Sequence, residues 1–371
     1  MEKKYLSIQQ QVLMVFLLMF GSSLVFLTGK AASQNAWFSA LMGSFFGLYV
    51  LYAIIKIHEL FPGQRITQIS TAVLGRIPGT VLNCLFLWSI FAILCTFLFD
   101  IIMILEIIYP LLPRVILFPL LILTCCYFLY KGITVLGRLG EIIIVPTIII
   151  TAVGLLLSLP HVDLANLKPF GENWRSIAAG TLYAADWPFN EVIIFGLFLP
   201  MVSGLKSNKA LVYFWYCGGV ILLTLIDINI IAVLGKDLAY LSLFPLFETS
   251  RAIGMENFQR MELLFFVIWF ITGMYTMLIF YQGLTFIVQD LFTLKNYRAL
   301  ILPLGLCIVV FTLYMFPNTV EYSLLGFKYL EVYTFPVNLL YPTIILCAAK
   351  YQQKRQPQNP SKINPLQHTA L

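Results

Sequence analysis

Apolar residues run in ten long blocks along the chain, separated by short polar stretches, and blocks of this length predict membrane-spanning helices. A helix needs about 20 apolar residues to cross roughly 30 Å of hydrocarbon. The blocks fall near 8–28, 37–56, 79–108, 114–130, 140–159, 176–202, 209–234, 262–290, 299–316 and 331–349. The third and eighth approach 30 residues, long enough to tilt or to project from the bilayer. Between the second and third, Phe61-Pro62-Gly63 precedes a mixed stretch, Ile66 to Leu74, that suits a short interfacial helix. The longest polar interval, Gly235–Arg260, contains Pro245 and an apolar Leu241–Phe247 segment placed to lie on the membrane surface or dip into it. The pattern predicts an all-α membrane protein with one transmembrane domain over 1–350. A polar cytoplasmic tail over 351–371 is too poor in apolar residues to fold.

Composition agrees. Of 371 residues, 60% are hydrophobic and 11% charged, against about 25% charged in a soluble domain. The lipid bilayer is the solvent for most of this chain. The net charge of +6 is scattered between apolar runs and forms no patch, so nucleic acid is not a partner. The 23 Lys and Arg fall mostly on the side of the N-terminus, which predicts that both termini are cytoplasmic. Lys3 and Lys4 before an apolar run resemble a signal peptide, but the run continues to Thr28 with no small-residue cleavage pattern. An uncleaved first helix is the expectation. All seven cysteines lie within apolar runs, and His58, His161 and His368 lie in loops or the tail, so neither a metal site nor a cofactor is indicated. No P-loop, G-x-S-x-G or H-E-x-x-H motif is present, which argues against an enzyme and against ATP-driven pumping.

Ten spans divide into five and five, about 8–159 and 176–349, and an odd number per half inverts one half relative to the other. In transporters built this way the first helix of each half is commonly broken near the midplane. The first block contains Gly21-Ser22-Ser23 near its centre, and the sixth contains Asp186-Trp187-Pro188-Phe189-Asn190-Glu191. Glycine tolerates non-helical backbone, hydroxyls can replace lost backbone bonds, and proline removes a donor. Exposed helix ends and carboxylates at such breaks suit a small zwitterion. The candidate ligand-binding residues are Gly21, Ser22, Ser23, Tyr183, Asp186, Pro188, Asn190 and Glu191, with Tyr275 and Thr276 from the eighth span. The competing reading makes Gly-Ser-Ser a close-packing surface and Pro188 a simple kink.

Charges elsewhere in the spans are costly unless they face protein, water or ligand. Asp100, Glu106, Asp227, Arg260 and Glu262 form a candidate polar network, with Asp227–Arg260 as one pairing and either a structural or a proton-relay role. Glu141 and Asp290 stand near span ends, as interfacial residues do. Tyr281, Gln282 and Thr285 add to a polar content in the eighth span that predicts a cavity. Trp269 reads as an anchor or packing residue.

Several short motifs in order resemble the spore germination permease family, the GerAB-type B subunits of nutrient germinant receptors. They are Ser7-x-x-Gln10 followed by a glycine in the first span, Gln34-Asn35-Ala36-Trp37 and Phe61-Pro62-Gly63. Pro188-Phe189-Asn190-Glu191 through Phe195 to Pro200, Arg260-Met261-Glu262 with Trp269, Phe316-Pro317 and Tyr341-Pro342 complete the series. Gln259 and the Gly21-Ser22-Ser23 triplet depart from the pattern of such proteins. The resemblance implies the amino acid/polyamine/organocation superfamily and its LeuT-like, inverted five-plus-five fold, as a single permease-like domain. It implies binding of a germinant such as an amino acid, alongside an A subunit and a lipoprotein C subunit in the spore inner membrane. Secondary amino-acid transport coupled to protons or cations is the alternative reading, and a water or ion conduit a second.

Overall fold

The computed structural model describes residues 6–252, 261–325 and 331–355. Helices form at all ten apolar blocks. They are α1 (Ile8–Ser23), α2 (Ala36–Leu60), α4 (Arg76–Ile108), α5 (Arg114–Lys131), α6 (Ile133–Ser158), α7 (Trp174–Asp186), α8 (Lys209–Leu234), α11 (Met261–Leu291), α12 (Arg298–Met315) and α14 (Glu331–Arg355). Shorter helices fill the intervals: α3 (Ile66–Leu74), α9 (Lys236–Leu241), α10 (Pro245–Ala252) and α13 (Thr319–Leu324). Among the described residues, seven helices are long and apolar enough to cross a membrane. The chain is an all-α, multi-pass membrane protein. Val115, Ile142, Phe214 and Leu306 are more than half exposed along these helices. Such an apolar surface is stable in lipid and untenable in water.

The long third and eighth blocks are α4, with 33 residues, and α11, with 31. The interfacial stretch is a helix over Ile66–Leu74, and the Leu241–Phe247 segment spans the last residue of α9, a short turn and the first residues of α10. Helix α14 continues to Arg355, so the first five residues assigned to the tail are helical; the rest, 356–371, lie outside the described residues.

Packing places α1 at the centre, against α6, α8 and α11, while α2 lies against α7, α8 and α14. Helices α4 and α11 pack on each other, with α5 and α12 on their flank. At the face bearing the N-terminus, Leu6–Ser7 (β1) pairs in parallel with Val202–Ser203 (β2). That short ladder joins the start of the first span to the end of the sixth. Ser7 then caps α1 in a reciprocal box with Gln10, at 3.1 Å in both directions.

Candidate functional site

Both spans are interrupted, the sixth within Asp186–Glu191 as expected and the first only past Gly21-Ser22-Ser23, which stay in the α-helix. In the first span the α-helix stops at Ser23. The Ser23 hydroxyl donates to the Met19 carbonyl at 2.7 Å, a turn closes from Phe26 N–H to Ser23 C=O at 3.0 Å, and the chain re-enters helix as a 3-10 segment, Lys30–Asn35. In the sixth span α7 ends at Asp186, Trp187 is extended, and a 3-10 run continues over Phe189–Leu197. Pro188 has no N–H to donate to the preceding turn, which is why the α-helix cannot carry on.

The two breaks adjoin through Phe26 and Trp187, whose rings meet edge to face at 5.0 Å; Tyr183 packs on the same indole at 6.0 Å. Helix α2 backs directly onto the second break. A Cβ at Gly43 would lie 2.7 Å from Ala185 N, and one at Gly47 would lie 2.4 Å from the Phe189 carbonyl oxygen, so both positions need glycine for this approach.

Side chains at the breaks divide into those engaged by the fold and those left over. A Cβ at Gly21 would come within 2.2 Å of both Thr272 O and Thr276 Oγ1, so Gly21 provides the close contact between α1 and α11. Thr276 donates toward the Leu17 and Leu18 carbonyls at 3.4 and 3.3 Å. Tyr275 turns to α6, donating to Leu136 O at 2.8 Å, and so does not face the breaks. The Ser22 side chain lies outside the described residues.

Asp186 turns toward α14. One carboxylate oxygen accepts from Thr334 Oγ1. Asn338 stands beside the carboxylate but outside hydrogen-bond geometry, and Ser89 of α4 donates to Asn338 Oδ1 at 2.9 Å. The other carboxylate oxygen, Asp186 Oδ1, and both polar atoms of Asn190 are buried without a partner among the described residues. Gln11 of α1 is fully buried in the same condition. Each orphaned buried polar atom costs about 1–3 kcal/mol. Glu191 is buried in the 3-10 run. Among the described residues no group of three or more His, Cys, Asp or Glu side chains could hold a metal ion.

The polar residues of the spans fall into separate pairs. Asp100 accepts from Tyr322, Glu106 is bidentate with Arg114, and Asp227 accepts the Thr28 backbone N–H at 3.1 Å. Glu262 opens α11, half-buried. Arg260, and with it the Asp227–Arg260 pairing, lies outside the described residues. Tyr281 donates to Ile301 O, and Gln282 to Thr285. The polar content of the eighth span therefore serves, in good part, as hydrogen bonds within and between helices. Asp290 takes Arg65 Nη1 and Gln68 Nε2 at 3.0 Å each, and Thr67 as well, at the start of α3.

Several motif residues hold joints. Gln34 donates to Pro169 O at 3.2 Å and Asn35 accepts from Gly171 N–H at 3.4 Å, fastening the connection between α6 and α7 to the first break. Tyr341 donates to Asn83 at 2.6 Å and stacks on Phe86. Gln11, Thr334 and Asn338 were not singled out from the sequence. Each is a polar residue inside an apolar block, which is the signal that could have found them.

The fold defines an all-α, multi-pass integral membrane protein. A family model described as Spore germination protein matches residues 5–320, and the chain belongs to that family. It is 28% identical over 370 residues to Spore germination protein KB of Bacillus subtilis (strain 168), covering 97% of this chain and 98% of that one.

Proposed function

We propose that this chain is the membrane subunit of a spore germinant receptor, binding a small nutrient, an amino acid, where the two broken spans adjoin. The observation that carries the reading is the pair Asp186 Oδ1 and Asn190, buried at the second break with no hydrogen bond of normal geometry among the described residues. A carboxylate oxygen there would take an ammonium, and a carboxamide can satisfy a donor and an acceptor together. The main chain beyond Ser23 would take the nutrient's carboxylate. Family membership gives the setting: a germination-related permease.

In this reading the domain is two inverted halves of five spans, about 8–159 and 176–349, with both termini in the cytoplasm. The bilayer is the spore inner membrane, and an A subunit and a lipoprotein C subunit are the partners. Binding favours one arrangement of the broken helices, and the partners read that shift.

The test uses spores carrying the chain together with its partner subunits. Asp186→Asn and Asn190→Ala should leave the amount of membrane-inserted protein unchanged and abolish the nutrient response. An intact response in both variants would overturn the site. Accumulation of labelled amino acid in proteoliposomes under a proton gradient would replace sensing by secondary transport.

A further inference from the structure

Two small hollows lie beneath α10, and their linings differ in kind. The first is enclosed by Thr151, Gly154 and Leu155 of α6, Ile226 and Asn229 of α8, Leu246, Thr249 and Ser250 of α10, and Phe265 of α11. The second is apolar apart from one indole: Val25, Ile104 and Ile107 with Phe244, Phe266 and Trp269 form most of its wall.

Hydrogen bonds within the first lining settle what each polar group can still do. Thr147, one turn before Thr151, donates to the carbonyl four residues back, at 2.7 Å. The Thr151 hydroxyl makes no such bond; it is buried, 3% exposed as a residue, and has no partner among the described residues. Thr249 donates to Pro245 O at 2.9 Å and Ser250 to Phe247 O at 2.7 Å, so both hydroxyls use their protons on backbone and present lone pairs. Asn229 gives its amide to Ser158. The lining thus offers one free hydroxyl, several oxygen acceptors and no charge. An ion would enter without a counter-charge in a low-dielectric site, which is costly.

We propose that the first hollow is a binding site for one neutral hydroxyl group, with water as the occupant, and that this group joins α10 to α6 and α8. Water donates two hydrogen bonds and accepts others, which complements oxygen acceptors together with one free hydroxyl. The second hollow offers one unpartnered donor, the Trp269 indole N–H, and otherwise only apolar side chains; a buried water needs two to four polar partners, so this hollow stays dry. The joint lies close to the first break: Leu246 N–H meets Val25 O at 3.4 Å, and Lys30 Nζ donates to Ser242 O at 3.1 Å. The occupant therefore fixes the element that bears on that break from outside.

Radiolytic hydroxyl labelling in 18O-water of the intact chain in lipid nanodiscs tests this, because bound water modifies the side chains it touches even where they are buried. Leu155, Leu246 and Phe265 should be modified several-fold faster than Val25 and Ile104 of the apolar hollow. The isosteric Thr151→Val, combined with Ser250→Ala, should bring them down to the level of those controls while surface labelling is unchanged. Equal labelling of the two hollows in the unmodified protein would overturn the proposal. So would unchanged labelling in a folded double variant.

Discussion

One carboxylate oxygen of Asp227, deep in α8, accepts the backbone N–H of Thr28 at 3.1 Å, so a buried acid holds the irregular segment that follows the first break. The N–H belongs to backbone that has left the α-helix and has no helical acceptor. Without Asp227 it would be an orphaned donor in a membrane interior.

Replacing Asp227 by Leu should therefore destabilise the protein by about 1–3 kcal/mol, the cost of one unsatisfied buried donor. Replacing it by Asn keeps a carbonyl acceptor and should cost much less. Thermal unfolding in lipid nanodiscs, with hydrogen exchange across residues 24–30, separates the two. Equal melting temperatures for the Leu and Asn variants would show that the contact carries no stability.

Gly21→Ala places a methyl against the Thr272 carbonyl, with backbone on the receiving side. The expected loss is about 1–3 kcal/mol from overpacking. Gly218, whose Cβ would meet nothing within 4 Å, is the internal control and its Ala variant should melt like the parent. Loss of response in a Gly21 variant is consequently evidence about helix packing before it is evidence about ligand.

Arg65 and Asp290 are 3.0 Å apart, with side chains 17% and 8% exposed, and the Arg65 guanidinium lies 4.0 Å over the Phe286 ring. Arg65→Ala leaves Asp290 with a largely buried charge and only hydroxyl and amide donors, for an expected loss of about 3 kcal/mol. A local loss of that size should raise hydrogen exchange over α3 by about two orders of magnitude, at about 1.4 kcal/mol per factor of ten. Reversal of both charges, Arg65→Asp with Asp290→Arg, should recover part of the protection; no recovery would show that the pair itself does not hold α3.

Much of the architecture was legible because lipid imposes it. Apolar runs had to be helices once no water was available to their backbones, and Pro188 marked the second break by its missing N–H. Gly21-Ser22-Ser23 pointed to the first break but lies just before it, still in the α-helix, and the division of labour among its residues was not legible. Glycine there serves α11 contact and Ser23 a local carbonyl, and sequence cannot say which neighbour a small residue meets. The polar groups were visible and their partners were not. Asp100, Glu106 and Asp227 find Tyr322, Arg114 and Thr28, at separations of 222, 8 and 199 residues. Only the short separation could have been read from spacing. Gln11 and Asn338 escaped notice because a single amide in an apolar helix carries no periodic signal.

The most direct test of the central claim is binding of each of the twenty amino acids to the full chain in nanodiscs, followed by calorimetry. The account predicts saturable binding of one or a few, lost in Asp186→Asn and weakened in Asn190→Ala while both variants melt as cooperatively as the parent. Unaltered affinity in those two variants, or no binding by any amino acid to folded protein, would contradict it.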